Sequence, residues 1–154
     1  MDPPQTLPGT PPRIPPDTDL RRFVAAQDPV YGRVCAELAA GRKTSHWMWF
    51  VFPQLRGLGR SDTARFYGLA SREEALAYWQ HPVLGARLRH CAQLVLAAKG
   101  STAHAIFGSP DDLKLRSCMT LFAAVAPEEP VFARVLHRFY GGEPDPHTQA
   151  WLGP

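Results

Sequence analysis

The segment best suited to chemistry is a glycine-containing loop with two arginines, directly after the most aromatic stretch of the chain. The guanidiniums of Arg56 and Arg60 supply fixed positive charge in a geometry that suits phosphate. Between them, Gly57 and Gly59 let the backbone turn tightly and approach a ligand closely. Ser61 is typical of a helix N-cap, and the N–H groups of a helix start favour anions. The loop therefore predicts a site for one phosphate group.

The aromatic stretch before this loop places two tryptophans and two phenylalanines within residues 47–52. Rings of this size dominate the burial of a core, and a ring left accessible can stack on a base or sugar. Trp47 and Trp49 are therefore candidates for both roles, and Gln54 is a candidate polar contact to the ligand. His46 is a candidate general acid or base in this apolar setting. The alternative is a core histidine that is hydrogen-bonded to a carbonyl.

A second polar group is predicted on one face of a helix further along the chain. Asp112, Arg116 and Thr120 are spaced by four residues, so their side chains fall on one face. Lys114 adds a positive charge near the start of this helix. An exposed ion pair of slight energetic value fits the pattern, but Ser117 and Thr120 are weak helix formers and favour a pocket. Asp112 is the second candidate for proton transfer.

Composition and spacing exclude several classes of site. The net charge of +3 permits an anionic partner without requiring nucleic acid. No second histidine lies at ligand spacing from His46, so neither zinc nor another metal is expected. The chain has no Walker loop, nucleophile elbow or dinucleotide fingerprint, so no cofactor is expected. Three widely spaced cysteines, Cys35, Cys91 and Cys118, are typical of reduced thiols in a cytoplasmic protein.

The elements that must position these residues are predicted to be helices. Apolar residues recur at helical spacing and no stretch alternates with period two, so we expect an all-α domain of eight or nine short helices over residues 17–154. The apolar run 46–52 is interpreted as a short buried helix that Pro53 ends. No run of 18 apolar residues and no secretory signal is recognised, so no membrane partner is expected. Residues 1–16 contain seven prolines and are predicted to form a disordered tail.

Residue patterns at the starts of the other helices are strong enough to predict where each begins. A polar cap, a proline at the first helical position or acidic residues in the first turn mark such a start. These signals occur at Asp19, Asp28–Pro29, Ser61, Ser71, His81–Pro82, Thr102, Ser109–Pro110, Pro130 and Asp145. Trp151 is predicted to close the core as an apolar plug from the last helix.

Several motifs in order resemble the domain-of-unknown-function 1810 family. They are DLRRFVAAQ, SHWMWFVFPQLRGLGRS, HPVLGARL, IFGSPDDLKLRS, MTLFAAV and VLHRFYGG, and together they extend from Asp19 to Trp151. The resemblance implies a small, soluble, bacterial-type protein that is mainly α-helical, and it implies no particular activity. Some members carry a calpastatin label, but the chain contains no protease-inhibitor repeat that would support it.

Two functional hypotheses follow. In the first, the chain binds a phosphorylated small molecule, such as a nucleotide or an ADP-ribose-like compound, and hydrolysis is conceivable. Trp47 or Trp49 would stack on the ligand, Arg56 and Arg60 would hold phosphate, and His46 or Asp112 would transfer protons. In the second, the chain is a non-enzymatic helical interaction module whose arginines bind an acidic partner. An open cleft at which these side chains converge would favour the first hypothesis.

Deleting residues 1–16 should leave the melting temperature unchanged, because proline-rich segments without apolar anchors add nothing to a core. Thermal unfolding of the full and shortened chains, followed by circular dichroism, measures this. A loss of several degrees would show that the tail packs on the domain.

Overall fold

The computed structural model describes residues 20–99 and 102–153, which form a single helical domain. The tail predicted for residues 1–16 and the cap predicted at Asp19 lie outside the described residues. Ten α-helices are present in the described part: α1 (Arg21–Gln27), α2 (Tyr31–Ala39), α3 (Met48–Val51), α4 (Asp62–Tyr67), α5 (Arg72–Gln80), α6 (Leu84–Ala97), α7 (Ala103–Phe107), α8 (Asp111–Val125), α9 (Val131–Tyr140) and α10 (Pro146–Leu152). The all-α prediction is confirmed, with one helix more than the upper number expected.

Helix α8 is the central element, since α5, α7, α9 and α10 all pack against it. The rings of Tyr78 on α5, Phe122 on α8 and Phe132 on α9 form a continuous contact, with centroids 5.6 and 5.8 Å apart. A second group of helices surrounds α6, which packs against α2, α5 and α9. Burial of such rings supplies most of the stabilisation of the fold. Contacts within the protein therefore fix helix α8 on several sides without a ligand.

The polar N-caps predicted from the sequence are confirmed at four helices. Each cap side chain accepts a hydrogen bond from the backbone N–H three residues later, as this role requires. The caps are Ser61 on α4, Ser71 on α5, Thr102 on α7 and Asp145 on α10. At α5 the Glu74 carboxylate also accepts from the N–H of Ala70, the residue before the cap, at 2.7 Å.

The helix start predicted at Asp145–Pro146 is confirmed, but those predicted at Pro29, Pro82 and Pro110 are displaced along the chain. Pro29 and Pro82 both precede their helices by two residues, because each stays in the preceding turn. Ser109 does not cap α8: Pro110, joined to it by a cis peptide bond, occupies the N-cap position. The prediction that Trp151 plugs the core is wrong, since 47% of this residue is exposed. Helix α10 packs against α8 with Thr148 buried and Leu152 partly buried, and these residues occupy its inward face.

The Glu37 carboxylate at the end of α2 organises the chain that leads to α3. It accepts hydrogen bonds from the N–H groups of Thr44 and Ser45, at 2.7 and 3.1 Å, and from the Ser45 hydroxyl at 2.5 Å. The indole Nε1 of Trp47 donates to the same carboxylate at 2.9 Å. Lys43 adds an ion pair to Asp111 at the start of α8, at 2.8 Å. The segment between α2 and α3 is thus attached to α2 through Glu37 and to the start of α8 through Asp111.

Two classes of feature do not occur in the described part of the chain. None of its helices has both the length and the apolar character needed to cross a membrane. Its histidine, cysteine and carboxylate side chains form no group of three that could hold a metal ion. The described thiols are all free: Cys91 and Cys118 are buried and Cys35 is partly buried.

Replacing Glu37 with glutamine should lower the free energy of unfolding by about 2–3 kcal/mol at pH 7, because charged acceptors bind their donors more strongly than neutral ones. Burial opposes ionisation of Glu37, but the hydrogen bonds from Ser45, Thr44 and Trp47 outweigh it and lower its pKa from 4.5 to about 2. A carboxyl with a depressed pKa stabilises the folded state above its unfolded pKa and loses this effect as the pH falls.

The difference between parent and Glu37→Gln should therefore shrink between about pH 4.5 and pH 2. Urea denaturation at several pH values measures it. Glu73→Gln is the matched control, because Glu73 is exposed on α5 and makes no hydrogen bond or ion pair with a described residue. An effect of Glu37→Gln no larger than that of this control would contradict the role assigned to Glu37.

Candidate functional site

The loop with two arginines is closed at its base by an isolated parallel bridge between Leu55 and Leu69. The N–H of Arg56 donates to the carbonyl of Leu69 at 2.8 Å, and the N–H of Leu69 donates to the carbonyl of Gln54 at 2.9 Å. The Arg22 side chain on α1 donates to the carbonyls of Phe66 and Gly68, at 2.7 and 3.1 Å. The loop and α4 therefore form one unit that is held at its base, where α4 ends.

The two loop glycines have different roles. A Cβ on Gly59 would lie 2.4 Å from the Cβ of Ala64, so Gly59 lets the chain pack against the start of α4. A Cβ on Gly57 would meet only Nε1 of Trp151, at 3.9 Å. The close approach that the sequence assigned to a ligand is thus made at Gly59 by the protein itself.

An open cavity of about 350 Å³ lies between this loop, the first half of α8 and the start of α10. Its polar lining comes from Gln54, Arg60, Ser61, Lys114, Ser117, Asp145 and His147, and its apolar lining from Leu58, Ala64, Pro110 and Leu113. The residues come from three stretches that are far apart in sequence. The cavity is at the lower end of the size range for small-molecule sites.

Two cations line this cavity. Arg60 is exposed and makes no hydrogen bond or ion pair with any described residue. Lys114 lies 3.8 Å from the carboxylate of Asp111 and is largely covered by its neighbours. The cavity also contains the carboxylate of Asp145, but this group is engaged in the N-cap of α10, where it accepts from the N–H and hydroxyl of Thr148. Arg60 and Lys114 therefore offer donors to a ligand, while Asp145 keeps its negative charge in the same cavity.

A second, much smaller cavity of about 10 Å³ adjoins the first and shares Gln54, Ala64 and Lys114 with it. We refer to these as the inner and outer cavities. The inner cavity is lined by Met48, Trp49, Phe52, Gln54, Ala64, Tyr67, Gly68 and Lys114. The ammonium of Lys114 lies 4.9 Å from the centroid of the Trp49 ring. Nε1 of Trp49 is buried and has no hydrogen-bond partner in the described chain.

Six of the residues predicted to form the site line these cavities. They are Trp49, Gln54, Gly59, Arg60, Ser61 and Lys114. These residues come from the aromatic stretch with its loop and from α8, which were recognised as separate motifs in the sequence. The two motifs therefore meet at the inner and outer cavities.

Three other residues of the first motif are placed differently. Trp47 is 1% exposed and donates to Glu37, so it belongs to the core and is not available for stacking. Arg56 donates from Nε to the carbonyl of Arg65 at 3.1 Å and does not line either cavity. Gly57 lies in a short 3₁₀ turn, Arg56–Leu58, beside α10.

The three-residue face of α8 also has structural contacts instead of lining the cavities. Arg116 donates from Nε to the carbonyl of Glu143 at 3.0 Å. The hydroxyl of Thr120 donates to the carbonyl of Arg116 and accepts from the N–H of Asp145. Asp112 lies 3.5 Å from Nδ1 of His104. These contacts attach α7 and the chain before α10 to α8.

The two candidates for proton transfer do not meet in the cavities. His46 is exposed just before α3, and Asp112 is paired with His104. Sequence reasoning missed the cavity residues Asp145 and His147, which follow Thr120 by more than twenty positions. The signal for Asp145 was its cap pattern, which predicts a helix start but not which cavity that start borders.

Gly59→Ala should lower the free energy of unfolding by about 1–3 kcal/mol, because its methyl group would overlap Ala64. Gly57→Ala is the matched control and should change stability by less than about 1 kcal/mol, since no atom lies closer than 3.9 Å. Urea denaturation of both variants measures the difference. Equal effects of the two substitutions would refute the packing role of Gly59.

Comparison with known proteins identifies relatives of the whole domain. A crystal structure titled conserved hypothetical protein Rv1873 from Mycobacterium tuberculosis is similar to this chain, with 56% sequence identity and a TM-score of 0.86. The alignment covers 87% of this chain and 96% of that one. None of the curated proteins matches the chain. The family model described as protein of unknown function, DUF1810, matches residues 17–152. The chain therefore belongs to the DUF1810 family.

Proposed function

We propose that the outer cavity binds a phosphorylated small molecule, of which a nucleotide is the leading example. The observation that carries the proposal is the presence of Arg60 and Lys114 at one cavity, together with the neutral polar groups of Gln54 and Ser61. Guanidinium and ammonium groups both form strong, charge-assisted hydrogen bonds with phosphate oxygens. The oxygens of one phosphate group can accept several such donors at once.

The position of Arg60 supports this proposal. Its guanidinium is not used by any described residue, and the loop that carries it is held by the bridge at Leu55 and by the contacts of Arg22. A ligand that pairs with Arg60 therefore meets a side chain whose backbone is already positioned. Such preorganisation reduces the entropy lost on binding.

The apolar lining of the outer cavity also suits the base or sugar of a nucleotide. Leu58, Pro110 and Leu113 form an apolar side, and 57% of Leu113 is exposed although it is a large aliphatic residue. A base or sugar placed there would cover this surface and gain from its burial. The cavity therefore offers charge to one end of a ligand and apolar contact to the other.

The proposal is restricted to binding. Hydrolysis was assigned to His46 and Asp112, and neither residue lines the inner or outer cavity. The alternative, an interaction module for an acidic partner, was to be favoured if Arg56, Arg60, His46 and Asp112 were dispersed with no cleft. Of these four residues Arg60 lines the outer cavity and the other three line neither cavity, so the expected convergence is not found. Support for the small molecule comes instead from Arg60 and Lys114, which share one concave site.

Arg60→Ala should weaken the binding of adenosine monophosphate or pyrophosphate about tenfold or more, since a charge-assisted hydrogen bond contributes about 1.5–3 kcal/mol. Isothermal titration calorimetry at low and at physiological salt measures this, and the affinity of the parent should fall as salt rises. Arg65→Ala is the matched control, because Arg65 is exposed on α4 but does not line either cavity.

Arg65→Ala should bind the ligand as the parent does, and both variants should keep the melting temperature of the parent. Absence of binding to the parent, or equal binding by parent and Arg60→Ala, would overturn the proposed function.

A further inference from the structure

The four indole N–H groups of the chain have different environments. Nε1 of Trp47 donates to Glu37 at 2.9 Å, and Nε1 of Trp79 donates to Glu128 at 3.0 Å. Trp151 is 47% exposed and can be hydrated. Nε1 of Trp49 is the one side-chain nitrogen or oxygen in the described chain that is buried without a partner. An unpaired buried donor costs about 1–3 kcal/mol, so an acceptor is expected beside it.

We propose that the inner cavity is a subsite for one oxygen of a terminal phosphoryl group, which accepts a hydrogen bond from Nε1 of Trp49 and pairs with the ammonium of Lys114. The inference rests on the proposed function and adds to it the orientation and class of the ligand. Its terminal phosphate points inward, and its remaining part occupies the outer cavity. The ligand is therefore a phosphomonoester or a nucleotide with a free terminal phosphate.

The size of the inner cavity supports a single oxygen. Its volume of about 10 Å³ is close to that needed for one water-sized atom. A whole phosphate group does not fit, whereas one oxygen at the end of a ligand does. A diphosphate inside an ADP-ribose-like molecule also has non-bridging oxygens, but substituents on both of its sides would have to fit in the outer cavity of about 350 Å³. The size of the outer cavity therefore favours a terminal phosphate, which carries a single substituent.

The residues around the inner cavity strengthen such a contact. Lys114 lines both cavities, so its ammonium can donate to a phosphate oxygen in the inner cavity and to other oxygens of the same phosphate in the outer cavity. Met48, Phe52 and Tyr67 contribute apolar surface, and a hydrogen bond is stronger in surroundings of low polarity. The cation over the Trp49 ring also holds the indole and the ammonium next to each other.

The decisive variant is Trp49→Phe, which keeps an aromatic ring and removes the N–H donor. It should bind adenosine monophosphate about tenfold more weakly than the parent by calorimetry, the loss expected for one hydrogen bond to a charged acceptor. Trp151→Phe is the matched control and should bind like the parent, because Trp151 lines neither cavity. ADP-ribose should bind the parent more weakly than adenosine monophosphate and should be insensitive to Trp49→Phe.

A second measurement uses the unmodified protein and does not depend on how the variant folds. In ¹⁵N-labelled protein, the indole N–H resonance of Trp49 should shift on addition of adenosine monophosphate, and that of Trp79 should not, since Trp79 is bound to Glu128.

The outcomes separate this inference from the proposed function. If the parent binds adenosine monophosphate through Arg60 but neither Trp49→Phe nor the Trp49 resonance responds, the inner subsite is refuted and the outer site stands. Equal affinity for ADP-ribose and adenosine monophosphate would likewise refute the terminal-phosphate inference. If the parent binds neither compound nor pyrophosphate, both proposals fail.

Discussion

The site depends most on the hydrogen bonds that the carboxylate of Glu37 accepts. The carboxylate lies at the C-terminal end of α2, where the helix dipole disfavours negative charge, and it is retained there by donors from Thr44, Ser45 and Trp47. These hydrogen bonds fix the direction of the chain as it enters α3. Trp47 is thereby placed in the core, and Trp49, two residues later, is placed at the inner cavity. The one buried charge of Glu37 thus determines that Trp47 packs in the core and that Trp49 lines the inner cavity.

The cavities depend on rigid supports from three directions. Helix α8 carries Lys114 and is packed on several sides by other helices. The loop carries Arg60 and is closed by the bridge at Leu55 and by Gly59, which lets the chain pack against α4. The start of α10 is attached to α8 through the hydroxyl of Thr120, which accepts from the N–H of Asp145. Asp112, Arg116 and Thr120 of α8, which were expected to bind a ligand, instead hold these supports together.

Sequence reasoning succeeded where the cause of a structure is local. The caps at Ser61 and Asp145 were predictable because a cap bonds a backbone group three residues away. The role of Glu37 was not predictable, because the local sequence around a glutamate on a helix is the same whether water or a later loop donates hydrogen bonds to its carboxylate. Arg56 and Arg60 look equivalent in sequence, but the carbonyl of Arg65 binds one and the other lines the cavity. Only the tertiary fold distinguishes such residues.

The arrangement of the outer cavity has a consequence for synthesis of the protein. Its lining begins at Gln54 and ends at His147, so the earliest and latest contributors are separated by most of the domain. A nascent chain on the ribosome has the loop and α8 long before Asp145 and His147 emerge to complete the wall. The wall that Asp145 and His147 supply is therefore the last part of the cavity to be synthesised. Under the proposed function, a ligand that needs all three walls would stabilise completed molecules and lower the population of locally opened, protease-sensitive forms.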